Sequence, residues 1–146
     1  MTVTEIVPYG KTRDKVLFSE GLVLIFYKSE TRKLGLKTGM EVDEDFYLSR
    51  IRPILSRRAR MRLVEILKSS DKTTGELRRK LRKGYYPDDV AQEALEWCAA
   101  RHYTDDRRYA ENYIRSHADG RSRRQMREAL MNKGISREVI DGLLED

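Results

Sequence analysis

The chain has one cysteine, Cys98, so it can form no disulfide within itself and no cluster of thiolate metal ligands. Its two histidines, His102 and His117, stand on either side of a predicted helix, without the further ligands a zinc site needs. No apolar run approaches the roughly 18 residues of a membrane span. Residues 1–10 lack the basic-then-apolar pattern of a signal peptide. Gly35 and Gly39 have no surrounding GxGxxG or GK[ST] context, so no phosphate-cradling loop is predicted. Aromatics are few, at 8%. These absences point to a cytoplasmic, soluble protein with no cofactor, no metal and no membrane partner.

Catalytic constellations are equally scarce. Cys98 sits beside Trp97 on an apolar helix face, the setting of a buried small hydrophobe rather than of a nucleophile. Asp88-Asp89 and Asp105-Asp106 are adjacent carboxylates, but both pairs fall at predicted helix starts, where capping and the helix dipole account for them. The sequence therefore predicts no catalytic residues and no enzyme.

What the chain has is charge. Asp, Glu, Lys and Arg make up 37% of it, with a net charge of +6 that calls for an anionic or acid-rich partner. The signs are segregated. Between Arg50 and Lys83 thirteen basic residues face three acids; between Tyr86 and Ala100 there are four acids, Asp88, Asp89, Glu93 and Glu96, and no base. A patch-free surface would mix the signs more finely.

Two architectures follow one another. Residues 1–40 read as β-rich. Lys15–Ser19 and Leu22–Lys28 are β-branched and aromatic runs about a Glu20-Gly21 turn, and Val3–Val7 predicts a third strand. Leu22–Tyr27 is apolar on both faces and predicts burial. Ser29 is the expected cap of a short helix, Glu30–Leu34, that Gly35 ends. From Asp43 onward the periodicity is helical. A helix capped by Asp43 is expected to break at Pro53, where a new one starts and runs to about Ser69. Its apolar face is Ile54, Leu55, Met61, Val64 and Leu67, with Arg57, Arg58, Arg60 and Arg62 mostly outward. Thr74–Lys83, a helix opened by Pro87, one capped by Thr104/Asp105, Arg121–Lys133, and Arg137–Leu144 follow.

The last two thirds repeat. LRKGYYPDDV at Leu81–Val90 returns 49 residues later as LMNKGISREV at Leu130–Val139, each a leucine nine residues before a valine with glycine between. The predicted fold is mainly α, with tandem three-helix repeats in two copies behind a small N-terminal segment containing a β-hairpin. The expected domains are 1–50, 51–103 and 104–146. Copies too small to bury a core alone are the mark of a stacked binding scaffold. The basic middle helices supply the candidate partner-binding residues: Arg78, Arg79, Lys80, Arg82 and Lys83 in the first copy, and Arg121, Arg123, Arg124 and Arg127 in the second. Arginine's planar fork suits carboxylates and phosphates alike, so an acidic protein groove and a DNA backbone both fit. Tyr85, Tyr86 and Tyr103 lie near this stripe, where packing of the junctions or stacking on bases could employ them.

The junction Trp97-Cys98, then Arg101-His102-Tyr103-Thr104-Asp105-Asp106-Arg107-Arg108-Tyr109-Ala110, and then Arg123 to Leu130 running into Asn132-Lys133-Gly134-Ile135-Ser136, resembles the RecX regulatory proteins. The resemblance implies tandem three-helix repeats that bind RecA and its nucleoprotein filament. It implies suppression of ATP hydrolysis, strand exchange and filament extension, within DNA repair, homologous recombination and the SOS response. Contact with single- or double-stranded DNA and a monomeric state are expected alongside. Many members of the family carry three copies where this sequence has two. A stand-alone DNA-binding helical module, using the same stripe, is the alternative reading.

Overall fold

The computed structural model describes residues 1–145 and contains two compact units. One comprises Met1–Ala59 and Leu81–Ala91; the other comprises Arg60–Lys80 and the chain from Gln92 onward.

In the first unit three strands form an antiparallel meander: β1 (Val3–Tyr9), β2 (Arg13–Phe18) and β3 (Val23–Tyr27), in that spatial order. Two turns join them, one through Gly10 at φ +74° and one through Glu20 and Gly21 at +67° and +82°. The second is the turn expected from Glu20-Gly21; the first makes Val3–Tyr9 part of a second hairpin. Leu24, Ile25 and Phe26 are all buried, as a strand apolar on both faces requires. The outer edge of β3 is not left open: the Arg58 guanidinium donates to the Ile25 carbonyl at 2.8 Å and pairs with Glu30.

Helix α1 (Lys28–Leu34) starts earlier than expected. Ser29 lies inside it, and the Glu30 carboxylate accepts from the Tyr27 N–H at 2.8 Å. Gly35 ends it at φ +67°. Asp43 caps α2 (Glu44–Phe46) by accepting from the Phe46 N–H at 2.8 Å. An α-helix does start beside Pro53, which lies in its first turn, but the expected break before it is absent. A π-helical turn, Tyr47–Ile51, carries α2 into α3 (Arg52–Leu67), and the Arg52 N–H reaches back five residues to the Tyr47 carbonyl. The wider turn just ahead of the proline lets the helix pass through a residue without an N–H.

The remaining helices are α4 (Thr74–Lys83), α5 (Asp88–Ala100), α6 (Asp106–His117), α7 (Arg123–Asn132) and α8 (Arg137–Leu144). Along α3 the buried stripe is Leu55, Ala59, Leu63 and Ile66, and Met61 stands 64% exposed, contrary to expectation. In the second unit Ala110, Met126, Leu130, Ile135, Ile140 and Leu144 form a closed core beneath Tyr109, Tyr113 and Ile114. The chain is mainly helical, with two three-helix copies and a small three-stranded antiparallel sheet. Among the described residues no helix is long and apolar enough to cross a membrane.

Candidate interaction surface

The repeat is written in hydrogen bonds as well as in apolar residues. Thr73 and Glu76 form a reciprocal cap at the start of α4: the Thr73 N–H donates to Glu76 at 3.0 Å, and the Glu76 N–H to the Thr73 hydroxyl at 3.1 Å. Forty-nine residues on, Ser122 and Gln125 do the same for α7, at 2.9 and 3.1 Å. Each satisfies two backbone donors that a helix start leaves open. At the other end, the Tyr86 N–H reaches the Leu81 carbonyl at 3.1 Å, and the Ile135 N–H reaches the Leu130 carbonyl at 3.1 Å. In both cases the residue before is left-handed, Tyr85 at φ +66° and Gly134 at +85°. The first copy's glycine, Gly84, is one place too early to take that conformation, so a tyrosine holds it.

Arg78 and Arg127 occupy equivalent places and do equivalent work. Arg78 donates to Gln92 at 2.7 Å, and Arg127 pairs with Asp141. Both residue pairs are 14 apart, and each ties the copy's middle helix to its third helix. The other candidates do not superpose on the repeat. Arg79 is exposed and donates to the Asn132 carbonyl at 2.6 Å. Arg82 meets Asp88 at 3.5 Å across an exposed turn. Lys80 and Lys83 are exposed and enter no ion pair among the described residues. Arg121 precedes the Ser122 cap and so lies ahead of α7, not on it, contrary to the expected helix Arg121–Lys133; it bonds the Tyr113 hydroxyl and lies over that ring. Arg123 reaches the Leu144 carbonyl at 3.3 Å. Arg124, with its side chain 89% exposed, lies 3.5 Å from Glu128 on its own helix.

The start of α4 and the end of α7 meet within the second unit at two glycines. A Cβ on Gly75 would lie 2.6 Å from the Gly134 Cα, and one on Gly134 would lie 2.7 Å from the Gly75 Cα. This approach lets the Thr73 hydroxyl donate to the Lys133 carbonyl and brings Lys133 within 3.8 Å of Glu76. The Tyr109 hydroxyl at the Lys133 ammonium and the nearby Glu76 raise the lysine's pKa. Asp106 accepts from the Thr74 N–H at 2.9 Å and from its hydroxyl at 3.1 Å. The paired carboxylates of the sequence thus divide: Asp105 caps α6 through the Arg108 N–H, and Asp106 holds the first copy to the second.

The segregated charges largely meet each other. Arg52 meets Asp89 at 3.4 Å, and Arg60 pairs with Glu93. Arg58 and Arg60 are therefore turned inward, against expectation, while Arg57 and Arg62 remain exposed. Trp97 does more than complete the apolar stripe on which the sequence places it. It carries Arg101 at 4.3 Å and Arg60 at 5.4 Å over its ring, with Tyr103 edge-on at 5.7 Å. The i, i+4 spacing of Trp97 and Arg101 was the available signal. Cys98 is buried, and burial raises its pKa. Among the described residues no group of His, Cys, Asp or Glu could hold a metal ion.

The arrangement defines the class first: a tandem three-helix protein with a small antiparallel sheet. Residues 59–98 match the first three-helix domain of RecX, and residues 105–144 match the second. The chain belongs to the RecX family. It is 28% identical over 148 residues to the regulatory protein RecX of Clostridium acetobutylicum, covering 96% of this chain and 66% of that one. It is 35% identical over 97 residues to the RecX of Cronobacter sakazakii, covering 58% of each. It thus spans between about half and two thirds of the curated relatives' length. A crystal structure of regulatory protein RecX shares the fold, with a TM-score of 0.61 and 20% identity over 98% of this chain and 72% of that one.

Proposed function

We propose that this chain binds RecA or its nucleoprotein filament in the cytoplasm and inhibits its ATPase and recombinase activity during DNA repair. It acts without chemistry of its own, as a monomeric regulator of homologous recombination and the SOS response. The observation that carries the reading is the match of both three-helix domains to RecX. The relatives' shared name, regulatory protein, supports a non-catalytic role.

Of the nine candidate cations, the exposed ones are proposed as the contacts: Arg79, Lys80, Arg82, Lys83, Arg121, Arg123 and Arg124. Arg78 and Arg127 are assigned to holding helices together. Titrating the protein into RecA assembled on single-stranded DNA should lower ATP hydrolysis, and the protein should sediment with the filaments. Unchanged hydrolysis together with absence from the pellet would refute the reading.

A stand-alone DNA-binding module is the second reading, favoured by the net charge of +6 that ion pairing leaves over. It requires tight binding by the helical stripe to naked DNA. The logarithm of affinity would then fall with the logarithm of salt by about 0.7 to 0.9 per phosphate contact.

A further inference from the structure

Most cations held in place in this protein are held by carboxylates. Two on β2 are not. Arg13 and Lys15 alternate with Asp14, so they share one face of the sheet while Asp14 faces the other and pairs with Lys28 at 3.0 Å. Neither Arg13 nor Lys15 enters an ion pair among the described residues. Tyrosine rings hold them instead. The Arg13 guanidinium lies 5.1 Å from the Tyr9 centroid. The Lys15 ammonium lies 5.1 Å from the Tyr9 ring and 4.7 Å from the Tyr85 ring, and donates to the Tyr85 hydroxyl at 3.2 Å. A cation fixed by a π face keeps its charge un-neutralised while losing its freedom, which is the state an anion site needs.

The register completes a row. Tyr9 pairs with Arg13, and Arg13 pairs with Tyr27, so two tyrosines flank an arginine across all three strands. Tyr27 is 46% exposed and Arg13 is exposed. Lys11 stands exposed in the adjoining turn. The acid on this face of β1, Glu5, stands opposite Leu17, two same-face positions from the row. Tyr85 holds its ring here from a left-handed backbone that the second copy assigns to Gly134.

We infer that this row is a binding platform for single-stranded nucleic acid, with a base stacking on the exposed Tyr27, whose ring also carries the Arg58 guanidinium at 5.1 Å, and phosphates meeting Arg13, Lys15 and Lys11 while Tyr9 holds the first two in place. Stacking with fixed cations is the chemistry by which sheets and grooves take single strands. The inference does not rest on RecA regulation, and its test contains no RecA.

The test is fluorescence anisotropy of a labelled single-stranded oligonucleotide with the intact chain. The parent should prefer the single strand to the same sequence as duplex. Tyr27→Leu should weaken binding roughly tenfold and Tyr27→Phe should not, whereas Tyr9→Leu should weaken it by releasing Arg13 and Lys15. Arg13→Gln with Lys15→Gln should flatten the log–log salt dependence by about 1.4, two contacts at about 0.7 each. Arg13→Gln alone, at an exposed position, keeps the test valid if a tyrosine variant fails to fold, and should by itself reduce affinity and flatten the slope. The inference is overturned if folded Arg13→Gln and Tyr27→Leu bind with the parent's affinity and slope, or if the parent binds duplex as tightly as single strand.

Discussion

The ends of α4 and α7 pass through the same bonds 49 residues apart, yet they ask different things of their left-handed residue. At Gly134 the demand is double: a positive φ and a neighbouring backbone too close for any side chain. At Tyr85 only the first applies, and the residue present is among the worse choices for it. A non-glycine residue there costs about 1–2 kcal/mol. What the tyrosine gains in return is its contact with Tyr9 and Lys15, within the unit that carries the sheet. The same motif is thus a close-packed joint in one copy and an anchor for a surface cluster in the other.

The copies should be equal where they are alike. Leu81 and Leu130 are both fully buried. Replacing either by alanine should cost about 3 kcal/mol in urea denaturation. A loss confined to one would mean that only that copy supports the fold. The joints should part company next. Gly134→Ala should destabilise by roughly 2–3 kcal/mol, strain adding to overlap with Gly75. Tyr85→Gly should change stability little, relief of backbone strain offsetting the lost ring contacts. Equal effects of the two would erase the distinction.

The arginine ties offer a finer contrast. Arg127→Met and Arg78→Met should each cost on the order of 0.5 kcal/mol, as partly exposed contacts do. Only the first should weaken with added salt, because Asp141 is charged and Gln92 is not. A last effect, seen only at high pH, lies outside the repeat comparison, on the helix entering the first copy. Burial, and then the Asp89 charge, push Tyr47 up to about 12. The folded protein therefore keeps this proton at a pH where the unfolded chain has lost it. Stability should fall as pH rises from about 10 to about 12, and Tyr47→Phe should remove that part of the slope.

The fold was legible because its determinants are local. Thr74–Lys83 was readable to the residue from a glycine and an i, i+4 leucine pair. The strands followed from β-branched runs and the Glu20-Gly21 turn. What escaped depends on neighbours distant in sequence. Pro53 sits inside a helix because a π turn precedes it, and nothing in residues 47–53 announces that. Arg58 and Arg60 turn inward because Glu30 and Glu93 await them. The basic stripe was legible as a list and not as a surface. Periodicity places residues on a helix, but only a partner shows that Arg78 and Arg127 are engaged, or that Arg121 stands ahead of the cap.

That division is what the RecA proposal most depends on. The decisive measurement is RecA's DNA-dependent ATPase with three forms of the protein at matched, folded concentration. Wild type should suppress hydrolysis. Arg78→Met with Arg127→Met should suppress it as well, since those arginines hold helices. Lys80→Glu with Arg124→Glu should lose suppression while melting within a degree or two of wild type. Full suppression by the charge-reversed form, or its loss only in the Arg78 and Arg127 form, would contradict the account.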